Sequence, residues 1–509
     1  MKRLLHFRQF LPLVLLIVWL GLVYFLYRPN IFSIRFGDEE DNFLLGKLLL
    51  NGEKIYSQLF AHHQPLGYVL SATVQFVTHP DNLVSLVNRH REFLWLWSGF
   101  WTGLAVVIFG WPALIFSLAY EFPKRFLFGD EFLSESLAAY PLIFLLLFCL
   151  EGQRLNTKGK AILIGLAWGI VALLLMPLWP ALAFLMVAIF VLLFKNKKIR
   201  EFLPYIFSGG FAIVLVVLPF IDLDKYLYDF FYINSAYYIP FATSPGEGTS
   251  LMGFLAPITA FIAPGANNEM LWVIRIFSAV LGVNLIYLLY KRRLWQVIFI
   301  FVSLGLINLR YTAPGKVFYN GFHTLPWFAC LTLVISYLSW KQWKVIMVVI
   351  VATSFFLPKS EVLRRSNPAR DFHVNYSQSF DVAQAINAIG NPSDTIFAAP
   401  GDWLVYWQSR PKHASFMLNY YGWMPRVPAL KNEVETMFDT RLPTFFYCNE
   451  DCRTMGLEPR LNSYTELFRD GIQTGLFIQP KSLESLSSDQ KQKLKFFRFS
   501  YQTPPTQRN

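Results

Sequence analysis

The composition of this 509-residue chain is that of a membrane protein. Hydrophobic residues make up 54% of it and charged residues only 15%, whereas soluble proteins average about a quarter charged residues. Apolar runs of about 20 residues, long enough to cross hydrocarbon as helices, recur from Phe10 to Leu357. These runs lack the alternation of barrel strands, so the composition excludes a soluble protein and predicts a polytopic α-helical membrane protein.

The net charge of +12 would suit a nucleic-acid partner, but the positions of the basic residues argue against one. They cluster in short loops between apolar runs. If alternate loops are cytoplasmic, all the clusters lie on that side, as the positive-inside rule describes. The charge therefore reports topology, with a cytoplasmic N-terminus and no nucleic acid. The clusters are Lys2, Arg3 and Arg8; Arg154, Lys158 and Lys160; Lys195, Lys197, Lys198 and Arg200; Lys291, Arg292 and Arg293; and Lys341 and Lys344.

Apolar length and loop charge predict about eleven membrane spans. The first has no small-x-small cleavage site before Tyr27, so we expect a retained anchor. An odd number of spans from a cytoplasmic N-terminus places the C-terminus outside. We predict a transmembrane domain over residues 1–358 and an extracytoplasmic α/β domain over residues 359–509. The spans are predicted near residues 10–28, 93–110, 112–128, 136–151, 161–177, 178–194, 203–220, 271–290, 295–309, 323–340 and 344–358.

The first outer loop, about residues 29–92, holds the most informative segment. Its amphipathic stretches 42–51 and 66–77 are expected to lie along the membrane surface. Crowding four carboxylates near a low dielectric raises their pKa values, which suits a general base. An acidic outer loop that merely obeys the charge rule is the alternative, and composition alone favours it. The segment reads Phe36-Gly37-Asp38-Glu39-Glu40-Asp41-Asn42, and His62-His63-Gln64-Pro65-Leu66 follows it.

Further candidate residues lie near the later spans. Glu135 opens the predicted fourth span, and Asp130 and Glu131 compete with it for an acidic role there. Arg275 lies inside the predicted eighth span, where an ionisable side chain usually has a partner or a function. The tyrosine-rich loop 221–270 suits an interfacial aromatic belt or a substrate groove, and the belt is favoured.

Two basic residues depart from the positive-inside pattern. Arg310 and Lys316 precede the predicted tenth span on its outer side. They suit a phosphate-binding site or a solvated loop. His62 and His323 are expected to be hydrogen-bonded structural residues, and His323 stands in Phe322-His323-Thr324-Leu325-Pro326.

The C-terminal region is predicted to be a small α/β domain. Short strands are expected at residues 394–399, 443–447 and 475–478, between helical stretches. No phosphate-binding glycine loop, zinc spacing or Ser-His-Asp signature occurs in it. Cys448 and Cys452 suit a local disulfide outside the cytoplasm, whereas a metal site would lack two further ligands.

The order of the motifs in the first outer loop resembles that of the GT-C membrane glycosyltransferases. The Asp38-Glu39 pair after the first span, a Leu-x-x-Gly helix end, Tyr56 and the turn at His62 are similar to family 39. That group includes protein O-mannosyltransferases, lipid A aminoarabinose transferases and Rgt-type bacterial enzymes. His63 and Gln64 stand where Lys and Pro are usual. The resemblance covers about residues 10–360.

The resemblance implies transfer of a sugar from a polyprenyl-phosphate donor to an acceptor hydroxyl on a glycan, lipid or protein, with inversion. Asp38 is then the base, and Glu39 or Glu135 orients it or the acceptor. Charge on the departing phosphate calls for cations near the outer face. The candidates for that role are Arg310, Lys316, His63 and Arg275.

Two points stay open on the sequence. The four acidic residues can hold a divalent cation such as Mg²⁺, yet the family resemblance implies no metal and no other cofactor. A polytopic transporter or flippase is the alternative function, although no pair of interrupted helices in matching halves supports it. A non-catalytic membrane scaffold of cell-envelope glycan assembly is the third possibility.

Overall fold

A computed structural model describes residues 2–242, 251–262, 269–310, 321–342, 367–448 and 452–501. Over these ranges the chain is mainly helical, with one six-stranded sheet near the C-terminus. Six of the described helices are long and apolar enough to cross a membrane, and five shorter apolar helices accompany them. The chain is therefore a polytopic α-helical membrane protein, as its composition predicts.

The helices that precede the C-terminal region overlap every predicted span except the last, which lies outside the described residues. They are α1 (Lys2–Tyr27), α2 (Gly37–Leu50), α3 (Leu66–Thr78), α4 (Leu83–Phe109), α5 (Trp111–Tyr120), α6 (Ser134–Leu150), α7 (Lys158–Leu174), α8 (Trp179–Lys195), α9 (Ile199–Val217), α10 (Leu223–Tyr226), α11 (Ile239–Ala242), α12 (Ala256–Ile262), α13 (Glu269–Tyr290), α14 (Leu294–Ile307) and α15 (Leu325–Ser339). A π-helical segment, Leu227–Tyr238, joins α10 to α11.

Two predicted spans differ from the structure. Helix α4 begins about ten residues before the predicted second span, because Asn82 and Ser85 form a capping box that starts the helix at Leu83. The predicted third span, 112–128, divides into α5 and the 3₁₀ helix Pro123–Leu127. Apolar length alone does not report such helix ends.

Helices α6 and α15 lie at the centre of the membrane domain. Residues Glu135 to Phe148 of α6 are all buried, and 78% of the apolar window in residues 321–339 is buried. Around them, α7 packs closely on α9 because small residues face each other there. A side chain at Gly165, for example, would collide with the backbone of Ile206. This central position fixes where the first residues of α6 and α15 lie.

The two helices of the first outer loop pack inside the protein. Tyr68 of α3 donates to Asp41 of α2 (3.0 Å), and the amide of Gln75 donates to the carbonyl of Phe43 (2.7 Å). Most of α2 is buried. The polar side chains of the stretch 42–51 thus find partners within the protein, and its position along the membrane surface stays a prediction.

The C-terminal region contains a mixed sheet flanked by helices. The strand order is β2-β1-β3-β5-β4-β6, in which β2, β1 and β3 are parallel and the other neighbours are antiparallel. The three strands expected from the sequence are β1, β3 and β5. The elements are α16 (Pro368–Ile389), β1 (Thr395–Ala399), α17 (Trp403–Gln408), β2 (Lys412–His413), α18 (Pro428–Thr440), β3 (Phe445–Cys448), α19 (Glu458–Leu461), β4 (Thr465–Arg469), β5 (Ile472–Ile478), α20 (Pro480–Glu484), α21 (Ser488–Phe496) and β6 (Phe499–Tyr501).

A disulfide joins Cys448, at the end of β3, to Cys452. The free cysteines among the described residues are Cys149 and Cys330, on α6 and α15. The sequence left this disulfide open, and its Cα–Cα distance of 5.4 Å is typical of the bond.

The C-terminal region packs directly on the first outer loop. Lys47 of α2 donates to the carbonyl of Trp407 (2.5 Å), and the indole of Trp407 donates to Gln75 of α3 (2.9 Å). Further along, the N–H of Phe60 donates to the carbonyl of Phe416 (2.9 Å). The segment that follows β2 therefore lies beside the turn at residues 60–63.

Candidate active site

The first turn of α2 holds Asp38 at the boundary between the outer loop and the membrane helices. The helix starts after the extended residue Phe36, and its N-terminal amides favour a carboxylate there. Asn42 donates both to the carbonyl of Asp38 (3.0 Å) and to the carbonyl of Phe132 (3.2 Å). These two bonds tie the start of α2 to the loop that leads into α6, where Glu135 lies.

Asp38 is half-buried and has charged neighbours from three other parts of the chain. Burial raises the pKa of Asp38, and the negative charge of Glu135 raises it further. His63, His323 and Arg310 act in the opposite direction and favour the carboxylate. A carboxylate with a raised pKa is a stronger base than an ordinary aspartate, which suits proton removal from a hydroxyl.

Glu135 is held by residues from two further elements. Nδ1 of His323, just before α15, lies 3.1 Å from Oε1 of Glu135, and Nη1 of Arg310 lies 3.8 Å from the same oxygen. The side chain of Arg310 is 38% exposed, so its guanidinium can reach a ligand. The three residues are far apart in sequence and meet because α6, α14 and α15 pack side by side.

The turn at residues 62–63 forms another wall of the cluster. Tyr56 donates to the carbonyl of His63 (2.8 Å), and Asn234 donates to the carbonyl of His62 (2.7 Å). Burial lowers the pKa of His63, although Asp38 and Glu135 act against that change. The ring of His62 packs on Tyr238 at 5.0 Å, which agrees with its expected structural role.

Glu39, which is expected to assist Asp38, has hydrogen-bond partners outside the Asp38 cluster. One of its carboxylate oxygens accepts from Nη2 of Arg91 (2.6 Å), and the other accepts from the N–H of Phe132 (2.9 Å). Glu39 and Arg91 are both buried. The oxygens of Glu39 hold α2 against α4 and the loop before α6, and its orienting role toward Asp38 stays a prediction.

The remaining acidic residues of α2 also have their own partners. Glu40 pairs with Arg35, which reaches Asp402 of the C-terminal region at 3.5 Å. Asp41 accepts from Tyr68, and burial raises its pKa to about 8. Consecutive residues on a helix point about 100° apart, so one turn sends these four carboxylates in different directions.

The other predicted phosphate ligands do not join the described cluster. Arg275 of α13 donates through Nε to the carbonyl of Ala260 (2.9 Å), and its guanidinium stacks on Trp272 at 4.7 Å. Lys316 lies outside the described residues. Asp130, which competes with Glu135 for an acidic role on the sequence, pairs with Arg125 at 3.1 Å. Arg275 thus links α13 to α12, and its phosphate-binding role stays a prediction.

His323 is part of the Asp38 cluster, although the sequence predicted only a hydrogen-bonded structural role for it. The sequence signal was present, because His323 opens the same predicted span that Arg310 precedes. Its contact with Glu135 could not be inferred without knowing that α6 and α15 are neighbours.

A groove lies between the end of α1 and α4, and Asp38 is not among its lining residues. Its walls include Tyr27, Arg28, Glu92 and Trp95, together with Arg91. Arg91 is the partner of Glu39. Because Arg91 is already paired, we place the candidate site at Asp38, where carboxylate, imidazole and guanidinium groups meet, and not at this groove.

Within the described ranges, no group of three or more His, Cys, Asp and Glu side chains is arranged so that it could hold a metal ion. The expected independence from metal remains a prediction. The chemistry available at Asp38 is proton transfer by a carboxylate next to imidazole and guanidinium donors.

The helical bundle, the buried α2 beside it and the α/β region that covers α2 define a GT-C-like membrane fold. The structure is similar to that of ArnT from Cupriavidus metallidurans bound to undecaprenyl phosphate, with a TM-score of 0.57 and 12% identity, over 92% of this chain and 97% of ArnT. The apo state of the same ArnT gives a TM-score of 0.55 and 11% identity over the same shares. No family model and no curated protein matches the sequence.

Proposed function

We propose that this chain is a membrane glycosyltransferase that transfers a sugar from a polyprenyl-phosphate donor to an acceptor hydroxyl. The observation that carries the proposal is the half-buried Asp38 beside Glu135, His63, His323 and Arg310. The similarity in fold to ArnT bound to undecaprenyl phosphate supports this donor class. Kinship with family 39 is part of the same proposal.

The proposed reaction is one displacement with inversion at the anomeric carbon. The acceptor oxygen forms a bond to that carbon while the bond from carbon to phosphate oxygen breaks, and the electron pair leaves with the phosphate. The acceptor proton passes to Asp38, whose raised pKa suits this role. Polyprenyl phosphate is a fair leaving group, so the reaction needs no general acid.

Arg310 and His63 are assigned to the donor phosphate. A guanidinium can make two parallel hydrogen bonds to a phosphate, and they strengthen as charge develops on it. Arg310 is exposed enough to make them while it stays near Glu135. Glu135, held by His323, keeps the guanidinium of Arg310 in place beside Asp38.

The orientation and domain division are proposals too. We infer a cytoplasmic N-terminus, a membrane domain over residues 1–358 and an extracytoplasmic domain over residues 359–509. The basic loop clusters and the disulfide between Cys448 and Cys452 support this orientation. The membrane location itself follows from the apolar helices.

The test is transfer of labelled sugar from a panel of polyprenyl-phosphate sugars by the purified protein in lipid. We expect the wild type to release free polyprenyl phosphate and the Asp38→Asn variant to be slower by about 10²- to 10⁴-fold, the usual contribution of a positioned base. Asp41→Asn is the matched control on the same helix. Asp41 accepts a bond from Tyr68 that an amide oxygen can also accept, so this variant should stay active.

Three outcomes would contradict the proposal in different ways. Equal rates for the wild type and Asp38→Asn would remove Asp38 from the mechanism. Equal losses in Asp38→Asn and Asp41→Asn would assign the effect to the folding of α2. Vesicle uptake or lipid flipping without sugar transfer, unaffected by Asp38→Asn, would favour the transporter.

A further inference from the structure

The C-terminal region contributes a tyrosine to the surroundings of Asp38. Tyr421 is half-buried, and its backbone is fixed because the N–H of Met424 donates to its carbonyl (2.9 Å). Among charged groups, Asp38 raises the pKa of the Tyr421 hydroxyl most, followed by Asp41. Contacts next to it support a position near α2. Trp403, a hydrogen-bond partner of Tyr421, follows Asp402, which lies 3.5 Å from Arg35, the partner of Glu40 on α2.

The surrounding segment is anchored to the same wall as His62. The ring of Trp423 packs on His62 at 5.9 Å and on Tyr238 at 5.3 Å. The backbone bond between Phe60 and Phe416 holds the beginning of the segment. The position of Tyr421 relative to Asp38 is thus set by rigid contacts between the C-terminal region and the first outer loop.

The hydrogen bonds to Tyr421 determine where its proton can go. Nδ2 of Asn419 donates to the Tyr421 hydroxyl (3.2 Å), and Trp403 is a second side-chain hydrogen-bond partner. Asn419 is buried and packs against Gly401, where a side chain would have no room. A hydroxyl that accepts from Asn419 keeps its own O–H for another acceptor.

The elements around Asp38 suggest separate approaches for the two substrates. Arg310 and His323 come from the ends of membrane helices, where a lipid-linked phosphate arrives. Tyr421 comes from the C-terminal region, whose Trp423 packs on His62 beside the cluster. An acceptor that reaches Asp38 from this side would meet Tyr421.

We propose that Tyr421 binds the acceptor, donating a hydrogen bond that holds a polyhydroxylated acceptor such as a glycan or the sugar headgroup of a glycolipid with its reacting hydroxyl at Asp38. This assignment rests on the proposed function. It makes the C-terminal region a part of the active site, which the sequence could not indicate.

The test is the kinetics of Tyr421→Phe with the acceptor that the wild type uses. Loss of one hydrogen bond should raise the acceptor KM roughly 3- to 10-fold, while kcat at saturating acceptor and the donor KM stay unchanged. Tyr420→Phe is the matched control, because the carboxylate that raises the pKa of Tyr420 is Glu435 of α18. We expect this control to match the wild type.

Asn419→Asp provides a second variant of the same size. An aspartate would capture the proton of Tyr421, so the acceptor KM should rise as in Tyr421→Phe, and the double variant should be no worse than either single one. An unchanged acceptor KM in an active Tyr421→Phe enzyme, or equal changes in Tyr420→Phe, would overturn this role and leave the proposed function intact. Absence of transfer by the wild type with every donor would overturn both.

Discussion

The Asp38 cluster and the Glu39–Arg91 pair start from adjacent residues of α2 but have opposite characters. Asp38 is half-buried and faces two histidines and the partly exposed Arg310. The side chains of Glu39 and Arg91 are only 1% and 5% exposed. Both oxygens of Glu39 already accept hydrogen bonds, from Arg91 and from the N–H of Phe132.

This difference shows how one acidic turn can combine a titratable carboxylate with a structural ion pair. A carboxylate sealed in an ion pair cannot turn to a substrate without leaving its partner charged and buried. A half-buried carboxylate with titratable neighbours can exchange a proton. Burial and partners therefore separate the two roles, whereas acidity alone does not.

The largest expected effect on stability is that of Arg91→Ala. It leaves Glu39 and Glu131 buried without their cation, which should cost about 3–5 kcal/mol of unfolding free energy. Arg89→Ala is the control on the same helix, because Arg89 pairs with Glu92 at the surface and such pairs contribute about 0–1 kcal/mol. Unfolding in detergent measures both, and equal small losses would break the distinction.

Substitutions of two neighbours of Asp38 should shift the pH dependence of transfer in opposite directions. The base acts as a carboxylate, so the rate falls as the pH falls through its pKa. Glu135 raises that pKa and Arg310 lowers it. Glu135→Gln should therefore move the acid limb of kcat/KM to lower pH and Arg310→Ala to higher pH, each by roughly one unit or less.

If Glu135→Gln and Arg310→Ala shifted the acid limb in the same direction, a group other than Asp38 would be the one that titrates. Glu435→Gln serves as the control for the profile, because Glu435 is exposed on α18 and pairs with Lys431 at the surface. Its acid limb should coincide with that of the wild type.

A smaller effect is expected where the C-terminal region meets α2. Lys47→Met removes the hydrogen bond to the carbonyl of Trp407 and the contact with its ring at 5.3 Å. The loss should be about 1–2 kcal/mol, seen as faster proteolysis of the C-terminal region. The exposed Lys54, changed to Met, is the control. Equal proteolysis of both variants would remove Lys47 from the docking contact.

The smallest effect is expected from a chelator. Because the proposed mechanism uses carboxylate, imidazole and guanidinium groups, transfer in excess EDTA should proceed within about twofold of the untreated rate. Loss of transfer that Mg²⁺ restores would instead make the acidic cluster a metal site.

Much of the candidate site could be predicted from the sequence, because four of its residues stood out by motif or by an unusual charge. The structure brings Asp38, Glu135, His63 and Arg310 together. Glu39 points toward Arg91 for a geometric reason: one step along a helix rotates the side chain by about 100°. No local pattern reports that rotation relative to the rest of the protein.

The sequence by itself determined the fold class, most of the apolar helices and the central strands β1, β3 and β5, because apolar length and apolar runs are local properties. Only the tertiary structure decided that α2 is buried, that His323 holds Glu135 and that the segment before Tyr421 lies beside the turn at residues 60–63. The contact between His323 and Glu135 joins residues 188 positions apart, and such partners depend on how whole elements pack.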